Sequence, residues 1–347
     1  MAILSPIPLH PQVDCEGADC LRDAHGRTIV DLRVSVTDRC NYRCVYCRDE
    51  ADTGFGELKI EDYARLVRVF VSLGIEKVRL TGGEPLLRNG LLDLIREIAE
   101  MRTVSGKKLD IALTTNGHLL ENMAQPLRDA GLSRVTVSMD AVDPQVFAQI
   151  TRVPGSYERV LAGVRAAKAA GLGPVKVNCV LLRGFNDDQI EKFGEFARKE
   201  QVILRFIEFM PLEEGRVWSP EIVVRESEII ERLERVMPLV ELPANHPSET
   251  ARRYGFADGL GEIGIIAPVS RPFCGQCSRI RLTSDGKLRT CLFSQIEYDV
   301  AGEMMRGATD DALRTYIRET VNRKEARHHI GEPGFLKPSR SMVHIGG

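Results

Sequence analysis

Between about residues 30 and 235, six short apolar runs alternate with longer amphipathic stretches, and this rhythm constrains the fold more than anything else in the chain. The runs 32–36, 77–81, 109–115, 134–138, 175–182 and 204–210 are rich in β-branched residues and of strand length. Between them, 61–73, 91–101, 119–130, 157–170 and 187–199 carry apolar residues at the helical period. Asp187, just after the turn Gly184-Phe185-Asn186, stands where a helix N-cap is expected. Repeated βα units predict an α/β protein with a parallel sheet.

Six such units can form an open doubly wound sheet or a partly closed barrel, and periodicity does not separate the two. The polar residues do bear on the choice. Thr81-Gly82-Gly83-Glu84, Thr114-Thr115-Asn116, Ser138, Asp140, Glu208 and Met210 all fall at or just after the carboxyl ends of predicted strands. Parallel α/β proteins place their sites there, and a site supplied by every strand favours an incomplete six-stranded (β/α)6 TIM-like barrel. After about residue 240 the rhythm dissolves into Pro/Gly-rich stretches at 243–247 and 255–264. The expected division is an N-terminal arm, 1–30, a barrel, 31–240, and a C-terminal module, 241–347.

The nine cysteines include two groups of three at ligand-like spacing, while Cys15, Cys20 and Cys179 stand apart. Reduced thiols fit this pattern better than a disulfide framework does. Cys179, inside a predicted strand, reads as a small buried apolar side chain. Cys40-x3-Cys44-x2-Cys47 follows the first predicted strand directly. A [4Fe–4S] cluster is normally held by four thiolates, so a loop supplying three leaves one iron open. A structural zinc would need a fourth ligand, which the residues just after Cys47 do not supply. Cys274-x2-Cys277-x13-Cys291 repeats the arithmetic, and Arg279 and Arg281 lie between its members on one side of an extended segment. Guanidinium forks match phosphate geometry. The other reading of this group is a zinc knuckle completed by His328 or His329.

The 47 basic and 49 acidic side chains leave a formal net charge of −2, so a polyanion must be bound by local charges. Nothing points to nucleic acid. The chain contains no apolar run of the roughly 20 residues that span a bilayer, and Met1 to His10 lack the layout of a secretion signal. The expected location is cytoplasmic.

The first cysteine loop, with Tyr46 before its third cysteine, and Gly82-Gly83-Glu84-Pro85 together resemble the radical S-adenosylmethionine superfamily. Adding 31–41, 79–86, Leu113 to Gly117, Val137 to Asp140, Arg205 to Met210, Phe273 to Leu282 and the terminal Gly346-Gly347, the chain resembles the GTP 3′,8-cyclase family of molybdenum cofactor biosynthesis. That resemblance implies two [4Fe–4S] clusters, one on Cys40, Cys44 and Cys47 and one on Cys274, Cys277 and Cys291. It implies S-adenosylmethionine lined by Tyr46, Gly83, Ser138 and Met210. It places GTP on Arg33, Arg79, Thr114, Lys176, Ser278, Arg279, Ile280 and Arg281, with Arg33, Arg79, Gly346 and Gly347 closest to the chemistry. It further implies that the C-terminal module covers the open side of the barrel.

The implied reaction starts when a 5′-deoxyadenosyl radical takes the ribose 3′ hydrogen. The carbon radical attacks guanine C8, and an electron and a proton complete (8S)-3′,8-cyclo-7,8-dihydro-GTP. A homodimer, an electron donor and a downstream cyclic pyranopterin monophosphate synthase are the implied partners. Arg48-Asp49 departs from the family's usual Met-Pro after the third cysteine. Two other readings are a radical S-adenosylmethionine enzyme that modifies peptides, and a zinc-stabilised binding protein. The arginine pair beside Cys277 argues against the first, and iron content separates the second.

Overall fold

The computed structural model describes residues 20–47, 54–212 and 218–346. Arg48, Asp49 and Cys15 lie outside the described residues. The six expected strands form as β1 (Asp31–Ser35), β2 (Lys77–Thr81), β3 (Asp110–Thr115), β4 (Arg134–Ser138), β5 (Lys176–Leu181) and β6 (Ile203–Glu208). The intervening helices are α1 (Ile60–Ser72), α2 (Leu91–Ala99), α3 (Leu120–Asp129), α4 (Pro144–Thr151), α5 (Ser156–Ala169) and α6 (Ile190–Glu200). Helix α4 has no counterpart in the periodicity reading, although it carries a start signal. Asp143 accepts from the amides of Gln145 and Val146, and Pro144 occupies the first helical position. Asp187 is not the cap of α6: it opens a 3₁₀ turn, and its carboxylate accepts from the Gly184 amide at 2.8 Å.

The remaining elements are α7 (Glu226–Glu234), β7 (Leu239–Leu242), β8 (Arg252–Phe256), β9 (Glu262–Ile266), β10 (Arg279–Leu282), β11 (Leu288–Arg289), α8 (Val300–Met305), α9 (Asp310–Asn322) and α10 (Met342–Ile345). All eleven strands join one sheet, in the order β11-β10-β1-β2-β3-β4-β5-β6-β9-β8-β7. The C-terminal strands therefore extend both edges of the six-stranded array. β10 adds in parallel to β1, and β9 adds in parallel to β6.

Because β1 to β6 follow one another in space, every crossover steps the same way, and right-handed crossovers place the helices on one face. That face is apolar. Leu32, Val34, Val78, Leu80, Val135, Val177 and Leu204 share a core with Tyr63, Leu66 and Phe70 of α1. Strand alternation sends Arg33, Arg79, Arg134, Lys176 and Arg205 to the other face. Cys179 is fully buried, as expected, but Cys20 is disulfide-bonded, against the expectation of reduced thiols. His329 pairs with Glu332 at 2.7 Å, while His328 rests on Phe293 at 5.3 Å and its buried Nε2 has no hydrogen-bond partner. Among the described residues, no helix is long and apolar enough to cross a membrane.

Candidate active site

The first cysteine loop leaves β1 and docks on the end of α4, where the amides of Arg43 and Val45 donate to the carbonyls of Thr151 and Ile150. Two donors reach the Cys40 sulfur: the Tyr42 amide at 3.4 Å and the Asn116 side chain at 3.8 Å. Gly82 and Gly83 form the adjacent wall. A Cβ on Gly83 would lie 2.4 Å from the Arg39 carbonyl oxygen, and one on Gly82 2.4 Å from that of Thr37, so only glycine allows this approach. Glu84 is fully buried and accepts from Leu86, Thr115 and Asn116; burial pushes its carboxyl up to about 7. Tyr46 donates to Asp140 at 2.6 Å, and burial pushes Asp140 up to about 6. Burial, then the neighbouring Cys47, Asp140 and Cys40, pushes the Cys44 thiol well up. The cysteine thiols and the carboxyls of Glu84 and Asp140 thus lie close together here. Ser138 ends β4, and Met210, two residues past β6, packs partly buried beside Leu212 and Ile345.

The second group has different surroundings. Cys274 opens a 3₁₀ turn, Cys277 ends it, and Cys291 follows β11. Arg279 donates to the Cys277 sulfur at 3.4 Å and stacks on Phe273 at 5.0 Å. Although burial raises the Cys277 thiol, Arg279 and Lys324 bring it down to about 7. Burial raises Cys291 despite Lys324. Arg281, Arg33 and Arg79 stand in register across β10, β1 and β2. Like charges directly opposite one another destabilise a sheet unless something neutralises them. Burial, then Arg33 and Arg279, pushes the Arg281 guanidinium well below its usual range. Burial with Arg33, Arg134 and Arg205 takes Arg79 to about 9, and burial with Arg205, Arg134, Arg79 and Lys77 takes Lys176 to about 6.

The buried Nε atoms of Arg33 and Arg205 and the Oδ1 of Asn178 have no hydrogen-bond partner. Arg79 donates to Thr114 and Thr136, each at 3.1 Å. The unpartnered guanidinium Nε of Arg33 suits an anion that brings its own acceptors, whereas Arg205 also pairs with Glu249 at 3.6 Å and the Asn178 oxygen calls for a donor. Arg134, Asn178 and Arg205 belong to this face but were missed as site residues in the sequence. Their signal was present as polar residues alternating with apolar ones inside predicted strands. Ile280 lies on the opposite face, fully buried in the core, and the Ser278 carbonyl is taken by the amides of Val30 and Asp31. Neither brings a side-chain contact comparable to the arginines that flank them.

The C-terminus enters this space. Arg281 donates to the carbonyl oxygens of Gly346 and, at 3.2 Å, of Ile345. Gly346 has φ +70°, and a Cβ on it would lie 2.6 Å from Thr81 and 2.7 Å from Ser35. Val343 packs on Gly83. Gly347 lies outside the described residues.

The six cysteines of the two groups carry thiols rather than disulfides. Among the described residues no three His, Cys, Asp or Glu side chains gather around a point that would hold a single metal ion. Zinc would draw its sulfurs to about 2.3 Å from one centre. A multi-iron cluster takes each thiolate on a different iron, and by donor type and number each group fits three of its four positions.

Radical SAM superfamily sequences match residues 34–197, and the Molybdenum Cofactor Synthesis C family matches residues 202–330. The crystal structure of Streptococcus suis SuiB bound to S-adenosylmethionine superposes with a TM-score of 0.56 at 14% identity, over 80% of this chain and 62% of that one. The unbound SuiB structure gives 0.58 at 12% identity, over 84% of this chain and 67% of that one. These likenesses concern the fold alone; the superfamily match over 34–197, whose span holds the three-cysteine loop after β1, makes this a radical S-adenosylmethionine protein. A GTP 3′,8-cyclase of Xanthomonas axonopodis pv. citri is 44% identical over 306 residues, 86% of this chain and 90% of the relative. That of Peptoclostridium acidaminophilum is 40% identical over 94% of this chain and 98% of its own. The chain belongs to the GTP 3′,8-cyclase family.

Proposed function

We propose that this chain is a GTP 3′,8-cyclase of molybdenum cofactor biosynthesis, a radical lyase that joins the ribose C3′ of GTP to guanine C8. The observation that carries the reading is the row Arg281, Arg33 and Arg79 beside Cys277, in which the buried Nε of Arg33 has no partner. A triphosphate supplies the charge and acceptors that this row lacks. We also read the sheet as an incomplete barrel. Arg205 on β6 repels Arg79 on β2, although a flat sheet would set those strands about 19 Å apart.

One cluster would be held by Cys40, Cys44 and Cys47 and a second by Cys274, Cys277 and Cys291. When bound, the first with S-adenosylmethionine supplies the 5′-deoxyadenosyl radical that takes the ribose 3′ hydrogen. Gly82 and Gly83 let the cysteine loop pack closely beside that ligand's place, and Glu84, Asp140 and Tyr46 give its ammonium end an acidic wall. Met210 and Ser138 complete the lining. Arg33, Arg79, Lys176, Arg205, Arg279 and Arg281 hold the triphosphate and fix the ribose, which converts the reaction to one between prepositioned partners. The tail at Gly346 closes the space against water. An electron donor, a homodimeric assembly and a synthase that consumes the product complete the scheme, and the setting is cytoplasmic.

The test uses reconstituted, reduced enzyme with S-adenosylmethionine and GTP deuterated at C3′. The expected result is deuterium in 5′-deoxyadenosine, together with a cyclised nucleotide. Absence of label from that carbon defeats the proposed abstraction. About eight irons per chain are expected for two clusters; stoichiometric zinc without iron removes the enzyme reading altogether.

A further inference from the structure

Arg340 lies six residues before Gly346, is 5% exposed, and its guanidinium faces carry more partners than any stabilising surface pair needs. Asp285 accepts from both terminal nitrogens at 2.8 and 2.9 Å, and Glu297 accepts at 3.0 and 2.7 Å. The flat face lies 3.9 Å from the ring centre of Phe55. Each partner belongs to a segment tied to one of the cysteine groups. Asp285 is in the turn that joins β10, which bears Arg281, to β11, which leads to Cys291. Glu297 also pairs with the fully buried Arg289, two residues before Cys291. Phe55 is tied to the first group, since Asp38 accepts from its amide at 2.6 Å and stands two residues before Cys40. Phe55 also meets His344 edge-on at 4.8 Å.

We propose that Arg340 is a positioning residue that seats the C-terminal tail in the active site, and that it does so only when the segments of both cysteine groups are in place. Asp285 and Glu297 grip it from the second group's side, and Phe55 supports it from the first. With Arg340 seated, α10 lies against Gly83 and the Gly346 carbonyl reaches Arg281. A bidentate guanidinium suits this task and a lysine does not, because one ammonium cannot satisfy two carboxylates and an aromatic face together. The role of the seated tail in turnover rests on the proposed function; the seating itself does not.

The test compares full-length reconstituted wild type with Arg340→Ala, Arg340→Lys, Asp285→Asn, which keeps size but loses the charge, and Phe55→Leu, which stays apolar but loses the ring. Hydrogen exchange of the peptide covering 341–346 should rise at least about tenfold in Arg340→Ala and Arg340→Lys, and less in the other two, as local opening replaces a fixed seat. Iron content should stay at the wild-type value. Turnover should fall with tail exchange across the series, and Arg340→Ala should add nothing to an enzyme that lacks 341–347. Unchanged exchange in Arg340→Ala and Asp285→Asn overturns the seat. Faster exchange with undiminished turnover, or additive losses with the truncation, overturns the positioning role. A wild type that exchanges slowly at its tail but makes no cyclised GTP counts against the proposed function alone.

Discussion

The two cysteine groups have the same arithmetic and opposite surroundings. Around Cys40, Cys44 and Cys47 stand Asp140, Glu84 and a tyrosine hydroxyl committed to Asp140. Around Cys274, Cys277 and Cys291 stand Arg33, Arg279, Arg281 and Lys324. Lys324, with its amine on the carbonyls of Arg279 and Thr290, holds β10 to the segment of Cys291. Coulomb's law makes the first surroundings hospitable to a cationic ligand and the second to an anionic one, most strongly where water is excluded. On the proposed function, the two similar ligand sets would take different guests because of the charges beside them, not because of the cysteines.

The sharpest way to break this comparison is to remove one thiol from each side. Cys44→Ser and Cys277→Ser should each lower iron to about half of the wild-type content, since each removes a ligand from one of the two proposed clusters. Cys44→Ser should abolish 5′-deoxyadenosine formation. Cys277→Ser should still cleave S-adenosylmethionine but yield no cyclised nucleotide. If both variants lose cleavage equally, the division of labour is wrong.

Next in size are the charges. Arg281→Ala removes a charge-assisted contact of about 1.5–3 kcal/mol, so GTP affinity should fall about 10- to 100-fold with S-adenosylmethionine affinity held within about twofold. Asp140→Asn should do the reverse. Equilibrium binding of each ligand to each variant gives the four numbers, and a variant that weakens both ligands alike would remove the contrast.

Lys176 gives the comparison a pH dependence. Burial, then Arg205 and Arg134, holds its amine near 6 instead of the ordinary 10.5. Between those values the unfolded chain binds more protons than the folded one, so the ligand-free protein loses stability as pH falls from about 10.5 toward 6. A triphosphate restores the proton, and GTP binding near pH 8 should therefore take one up. Calorimetry in buffers of different ionisation enthalpy should detect that uptake in wild type and not in Lys176→Met. The same variant should flatten the pH dependence of the denaturation midpoint.

The six strands and five of their helices were legible because each buries one face, and burial writes a period into the residues. Helix α4 was missed because eight residues hold barely two turns of period, although Asp143-Pro144 announces its start. Of the edge strands β7 to β11, only the extended segment of β10 was anticipated, and the others were missed for another reason. They are two to five residues long and form because β1 and β6 offer open edges, which is a fact about distant parts of the chain. The cysteines and Arg279 and Arg281 stood out by spacing, and Arg33, Arg79 and Lys176 through the family resemblance, whereas Arg134 and Arg205 emerged only when register set strands side by side. Arg340 could not be read at all, because its meaning lies in Phe55, Asp285 and Glu297, which come together only in the folded chain.

The smallest expected effect tests how much of the first group's acidity is held in place by one hydroxyl. Tyr46 donates to Asp140 at 2.6 Å, and Asp140 also accepts from the Val180 amide at 2.8 Å. Tyr46→Phe keeps the ring that meets Phe209 edge-on at 6.3 Å and removes only the hydroxyl. A lost hydrogen bond to a charged acceptor is worth about 1.5–3 kcal/mol, but Asp140 retains its amide donor and a cationic guest can take the vacated lone pair, which brings the net cost to about 1 kcal/mol or less. S-adenosylmethionine affinity should therefore change by no more than about fivefold, with GTP affinity untouched. A loss as large as that of Asp140→Asn would mean that the tyrosine hydroxyl, and not the carboxylate, is what the cationic ligand meets.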